Sequence, residues 1–250
     1  MFQKNKKSRK LIPGYTLIPN GDHYVVRKIG ITGDRIKKDP AFGVTRKWAN
    51  EFGKATKMSK IIRDAFLSEI ALPNTPRLLT SSLVTVLRTD NVSGFGDRDF
   101  AEADFSTLTG FHFNPAFPFE QLVKLTFCLD YNITRRQVEL TMPAFIPAQC
   151  IEAPGGYSHF SFTFSCVGIN AKEMYATLRQ DRSRLLPLGG VKIPRKKLVF
   201  DLPDQDITVC LLTASIKFHN ISILKKKQSK KDTTVPLTII GIVYPFLNAK

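Results

Sequence analysis

Three sets of side chains in this 250-residue chain have the types to do chemistry, and their spacing limits what each can do. The four histidines, His23, His112, His159 and His219, stand far apart. None has a second His two to four residues on, so no local metal-ligand pair is present, and each reads as a turn, strand or surface imidazole. Carboxylates gather once, at Asp97, Asp99, Glu102 and Asp104. Such a group offers an acid/base pair or a Ca²⁺ site, but its spacing is not that of a calcium loop. It reads instead as a solvated loop with a helix-start cap, or as a charge partner for the basic segment of a neighbouring subunit. Asp204 and Asp206 read as a turn. Cys128, Cys150, Cys166 and Cys210 make no C-x-x-C pair and sit in or beside apolar runs, where a free thiol packs as a small hydrophobe. Gly-x-Ser-x-Gly and the phosphate-cradling Gly-x-x-x-x-Gly-Lys-Ser/Thr are absent. The expectation is a chain with no catalytic residue, no metal and no cofactor.

The third set is basic. Residues 1–63 hold 16 Lys/Arg against 4 Asp/Glu, so three quarters of the net charge of +16 lies in the first quarter of the chain. A one-sided basic block seeks an acidic partner, while the remainder can be an ordinary folded body. Lys4, Lys6, Lys7, Arg9 and Lys10 form a solvated arm. Arg46, Lys47, Lys54, Lys57, Lys60 and Arg63 recur along one expected helix face, and Lys225, Lys226 and Lys227 open a five-lysine loop. Together they are the candidate anion- or nucleic-acid-binding residues. Tyr24 and Trp48 are of a type that stacks on bases, although Trp48 falls on the apolar stripe of its helix, where core packing is the ordinary role. No helix-turn-helix, RRM or zinc-finger pattern appears, so any nucleic-acid binding would be sequence-nonspecific.

These residues need elements to position them. Pro19-Asn20-Gly21-Asp22 between Tyr15-Thr-Leu-Ile and His23-Tyr-Val-Val-Arg predicts a hairpin turning on Asn20-Gly21. Because a lone hairpin is marginal in water, it is expected to dock on the body or on a neighbouring subunit. Asp39-Pro40 is a helix start, and Trp48, Phe52, Ala55, Ile62, Phe66 and Ile70 mark the apolar stripe of a helix over about 41–71. A second helix over roughly 76–88 uses Leu78, Leu79, Leu83 and Val86 or Leu87 as its inner side. Beyond residue 93 the period becomes two, with strands expected at 121–130, 136–142, 158–168, 195–202, 207–217 and 235–244. Phe160, Phe162 and Phe164 share one face of the third. The Phe residues at 111, 113, 117 and 119 are core unless they are exposed, in which case they mark an interface.

Several quoted stretches are similar to a family of uncharacterised proteins abundant in Bacteroidota. They are Tyr24-Val-Val-Arg27, then Arg46-Lys-Trp-Ala-Asn-Glu51-Phe52-Gly53-Lys-Ala55 with Lys60-Ile-Ile-Arg63. Met142-Pro-Ala-Phe-Ile-Pro147-Ala148-Gln149, Ala153-Pro154-Gly-Gly-Tyr-Ser158-His159-Phe160 and Ala214-Ser-Ile-Lys-Phe218 continue the likeness over most of residues 15–245. The resemblance implies a Bacteroidota or Bacteroidota-phage source and a hairpin–helix–β-domain layout. It implies no activity, cofactor or catalytic residue. The basic arm and the five-lysine loop depart from that family.

The fold expected is α+β: an N-terminal β-hairpin and helical pair followed by an antiparallel, Ig-like β-sandwich of about seven strands. Its parts are a basic arm and hairpin over 1–38, a helical segment over 39–92 and a β-sandwich over 93–250. The function expected is a non-catalytic interaction or structural assembly protein that uses its basic N-terminal quarter to bind an acidic partner; the partners expected are an acidic protein surface or nucleic acid, with a homo-oligomer also open. The alternative is a nonspecific nucleic-acid-binding protein. No stretch reaches the ~18 apolar residues of a membrane helix, and Leu11-Ile12-Pro13-Gly14 breaks any signal-peptide core, so the expected location is cytoplasmic, or virion-associated for a phage protein.

Overall fold

Alternation in the sequence decides the centre of the molecule. Over Phe160–Phe164 every second residue is phenylalanine, and His159–Asn170 forms a long strand buried from Phe160 to its end. The computed structural model describes residues 14–66, 75–202, 206–220 and 236–245. It divides into two compact units, 1–50 and 51–250. That boundary lies inside a helix, whereas the sequence reading divided the chain at 38/39 and 92/93.

The described part of the first unit opens with strands β1 (Tyr15–Asn20) and β2 (His23–Lys28), paired antiparallel. The two-residue loop is Gly21-Asp22, one step later than expected, because Asn20 pairs with His23 as the last rung. Gly21 takes φ 61° and Asp22 keeps a negative φ, so one positive-φ residue satisfies the turn where Asn20-Gly21 would have needed two. A short helix α1 (Gly33–Lys38) follows, with the Thr32 side chain accepting from the Arg35 amide at its start. Asp39 then caps the 3₁₀ turn Pro40–Phe42, as the Asp-Pro pair predicts.

Helix α2 runs over Gly43–Ala65, straight through Gly53. Its buried side is Glu51, Ala55, Met58, Ser59 and Ile62. This corrects the expected stripe: Trp48 and Phe52 are 44% and 58% exposed, because Glu51 takes the inner position and turns the helix about its axis. Ile70 lies outside the described residues. Helix α3 (Thr75–Leu87) buries Leu79, Leu83, Val86 and Leu87 as expected, while Leu78 faces outward.

In the second unit two antiparallel sheets form a sandwich. One has the order β10-β9-β5-β6, with β7 also on β5; the other has the order β3-β4-β8. The strands are β3 (Cys128–Asn132), β4 (Gln137–Met142), β5 (His159–Asn170), β6 (Tyr175–Arg182), β7 (Leu186–Pro187), β8 (Lys196–Asp201), β9 (Val209–His219) and β10 (Leu237–Val243). The sheet containing β5 is covered on both faces. Phe160, Phe162, Phe164, Cys210, Leu212 and Ile216 meet Val138, Leu140, Leu198 and Phe200 of the smaller sheet. On the other side Val167, Ile169, Val209, Leu211 and Ile239 carry Ala55, Met58, Ile62, Leu79 and Leu83 of the two helices. The result is three layers, helix on sheet on sheet, in which the helices are part of the body.

Two strand expectations are corrected. In 121–130 only the end is a strand: Pro118 instead starts a helical turn, α4 (Phe119–Leu122), and Val123 makes a single bridge to Ile151. Strand β6 was not expected, because it is the outer strand beside β5 and its exposed positions carry Arg179, Gln180 and Arg182, which hide its alternation. Phe113 and Phe119 are core, while Phe117 is 45% exposed.

Candidate interaction surface

The described part of the first unit has no hydrophobic interior. No described residue from 14 to 50 is buried. The six residues of β2 are all exposed, with Tyr24, Val25 and Val26 at 63%, 47% and 57%. The register places Tyr15, Leu17 and Pro19 opposite Lys28, Val26 and Tyr24. Since directly opposed residues share a face, one face of the hairpin is apolar and ends in a lysine. The other face pairs Ile18 with Val25 and Thr16 with Arg27. Ile31 and Val44 add exposed aliphatic surface. Over residues 14–50 there are seven Lys/Arg and three Asp.

The candidate cations separate into groups. Arg46 donates through Nη1 to the carbonyls of Ile36 (2.7 Å) and Asp39 (2.8 Å), where it ties the end of α1 to α2. Lys54 donates through Nζ to the carbonyls of Asp97 (3.0 Å) and Arg98 (2.6 Å) and pairs with Asp99 (3.2 Å). These two side chains work within the fold. Arg63 is half-buried, and Lys47, Lys57 and Lys60 are exposed. Lys4, Lys6, Lys7, Arg9, Lys10, Lys225, Lys226 and Lys227 lie outside the described residues.

The acidic loop is built by buried carboxylates that the sequence did not single out. Asp90, 1% exposed, accepts from the amides of Val92 (2.8 Å), Ser93 (3.0 Å) and Asp99 (2.8 Å). Burial pushes its pKa up, but the backbone donors outweigh this and bring it down to about 2. Glu51, also 1% exposed, reaches across from α2 to the Gly96 amide (2.8 Å) and lies 3.6 Å from the Arg98 guanidinium. Glu51, Lys54 and Asp90 thus pin the loop 90–99 to the helices. Asp104 caps the 3₁₀ turn Phe105–Leu108, the helix-start role expected of this cluster. It also accepts from the Ser106 hydroxyl (2.6 Å) and the Tyr244 hydroxyl (2.6 Å). These hydroxyl donors and the Ser106 amide hold the Asp104 carboxyl below its ordinary range, against the smaller effect of burial. Burial and Asp104 in turn push the Tyr244 phenol up.

Beside this pair a cavity of about 380 Å³ opens, lined by Phe100, Phe105 and Val209 with Glu102, Asp104 and Tyr244 among its other walls. Among the described residues its lining contains no Lys or Arg. Residues from three distant stretches meet there, which no local motif signals.

The remaining chemistry-bearing residues lie elsewhere in the body. Ser161 Oγ and His219 Nε2 stand 2.9 Å apart at the end of the β5–β9 ladder, and burial, then Lys217 and His159, lower the His219 pKa. None of the hydrogen bonds described for His219 involves a carboxylate that would orient it as a base. His112 bonds Thr238 (2.8 Å) and His159 bonds Ser158 (2.9 Å). Cys166 and Cys210 are buried neighbours, and the Cys166 side chain and burial push the Cys210 thiol far up. Cys128 is exposed, unlike the expected buried thiol. Among the described residues no group of three or more His, Cys, Asp and Glu is arranged to hold a metal, and no helix is long and apolar enough to cross a membrane.

No family model matches the chain, and no curated protein matches it. Among solved structures, the first C2 domain of human synaptotagmin XIII is similar at 14% identity and a TM-score of 0.26. That match covers 39% of this chain and 64%, just under two thirds, of the C2 domain.

Proposed function

We propose that this chain is a non-catalytic assembly protein: a three-layer body that presents an N-terminal hairpin for docking on an acidic protein surface. The observation that carries the reading is that no described residue of 14–50 is buried although its strands are rich in β-branched and aromatic side chains. A two-stranded hairpin is marginal on its own, and apolar surface of this kind marks an interaction site. Its positive balance selects an acidic counterpart.

Nonspecific nucleic-acid binding is the second reading, and the exposure of Trp48 next to Lys47 in the chain, and of Tyr24 on the hairpin face that ends in Lys28, favours it. The composition of the surface favours protein. Ile18, Val25, Val26, Ile31 and Val44 outnumber the exposed rings of the unit, and aliphatic side chains gain little from stacking on bases. The test is binding of the full chain to fluorescent DNA and RNA across a salt series, with Arg27→Glu/Lys28→Glu as the comparison. The protein-docking reading expects no binding near physiological salt. Salt-steep affinity lost in the double variant establishes the nucleic-acid reading in its place.

A further inference from the structure

We infer that the acidic surface is carried by a second copy of this chain, whose cavity beside the loop 100–105 receives the Tyr24–Val26–Lys28 face of the hairpin. The inference rests on the reading of the hairpin as a docking element and names its partner.

The two surfaces match in residue type and in charge. Tyr24, Val26 and Lys28 alternate along β2, so they project from one face, with the cation at the end of the apolar row. The cavity offers the complementary chemistry. Its buried side chains include Phe100, Ala103, Phe105 and Val209, and the Glu102 and Asp104 carboxylates are among its exposed ones. At about 380 Å³ it lies within the roughly 300–1,000 Å³ of clefts that hold compact ligands, enough for a ring and a branched side chain. Asp104 stays ionised under its hydroxyl donors, so the carboxylate next to the apolar floor is available to an ammonium group. An apolar floor with a charged rim is also the usual build of a protein interface.

Charge also decides between two forms of self-association. Pairing two hairpins would bring together two units that each carry seven Lys/Arg and three Asp over residues 14–50. Like charges opposed in this way are unfavourable. Hairpin-to-cavity docking sets opposite charges together instead. The contact is then head-to-tail, using different patches on the two copies, and it extends into rings or open chains.

Light scattering on the full chain over a concentration series tests this, with two variants: Val26→Asp in the hairpin and Glu102→Arg at the cavity. Both positions are exposed, and circular dichroism confirms that each variant is folded. The expected result is a mass above the monomer for the parent, a monomer for each variant, and a species of two chains when the variants are mixed. The mixture stops at two because one intact hairpin and one intact cavity remain. Lys28→Glu combined with Glu102→Lys restores association by exchanging the charges. A parent chain that stays monomeric overturns the inference, as does a variant mixture that does not associate. If Val26→Asp dissociates the assembly and Glu102→Arg does not, the hairpin docks elsewhere: the inference falls and the docking function stands. If the parent associates and neither variant alters its mass, both fall.

Discussion

Val26 and Val167 are the same residue in the same kind of strand, and their surroundings differ completely. Val26 is 57% exposed on a hairpin in a unit with no buried described residue; Val167 is fully buried between β5 and the helices. Burying a valine side chain fully is worth about 1.5–3 kcal/mol. The body collects that stabilisation many times over, on both faces of one sheet. The N-terminal unit displays comparable side chains without burying one of those described. Apolar residues in the body hold a fold together, and on the reading proposed above those of the hairpin serve a contact with another chain.

The strongest way to break this contrast is to remove a side chain from the inter-sheet core. Phe162 is fully buried and its ring lies 5.2–6.3 Å from those of Phe119, Phe145, Phe160 and Phe164. Phe162→Ala should cost about 3–5 kcal/mol, measured by chemical denaturation, a large part of the total stability of a domain. A loss near zero would mean that the body is not organised around β5.

Next in size is the carboxylate that organises the acidic loop. Asp90→Ala leaves three amides without their acceptor and should cost about 1–3 kcal/mol. The parent chain adds a pH signature. Asp90 titrates at about 2 when folded, below the ordinary 3.8, so its stabilisation is complete above pH 3.8 and fades as the pH falls toward 2. Denaturation of the parent and of Asp90→Ala should therefore converge as the pH is lowered through that window. Curves that stay equally far apart would show that Asp90 is not held as an anion.

How far the sequence foretold this layout depended on whether a residue's partners were local. Leu79, Leu83, Val86 and Leu87 of α3, though not Leu78, and the phenylalanine face of β5 follow from spacing alone and are found where spacing puts them. The cap at Asp104 is equally local. Spacing does not reveal the inner face of α2, because Glu51 goes inside and its donor on Gly96 lies 45 residues away. Nor does it reveal that Lys54 works within the fold, since its carbonyl partners are 43 and 44 residues along the chain. The cavity joins 100–105, 208–209 and 244, and no pattern in any one of those stretches announces it. Local chemistry was legible, and chemistry assembled by the fold was not.

The smallest expected effect is the most discriminating, because it asks one substitution to mean different things in the two regions. Val167→Thr places a hydroxyl in an apolar interior with little to bond it and should cost about 1–3 kcal/mol. Val26→Thr changes the same atoms on an exposed strand, keeps the β-branched shape, and should stay within about 0.5 kcal/mol in dilute solution. Dilution matters, since any assembly that covers the hairpin would add the cost of losing that contact. The difference between the two valines in denaturation midpoint should thus shrink as protein concentration rises, with Val26→Thr alone becoming more destabilising. A Val26→Thr effect that is already large at the lowest concentration would mean that the hairpin stabilises its own chain, and the contrast between the two regions would fail.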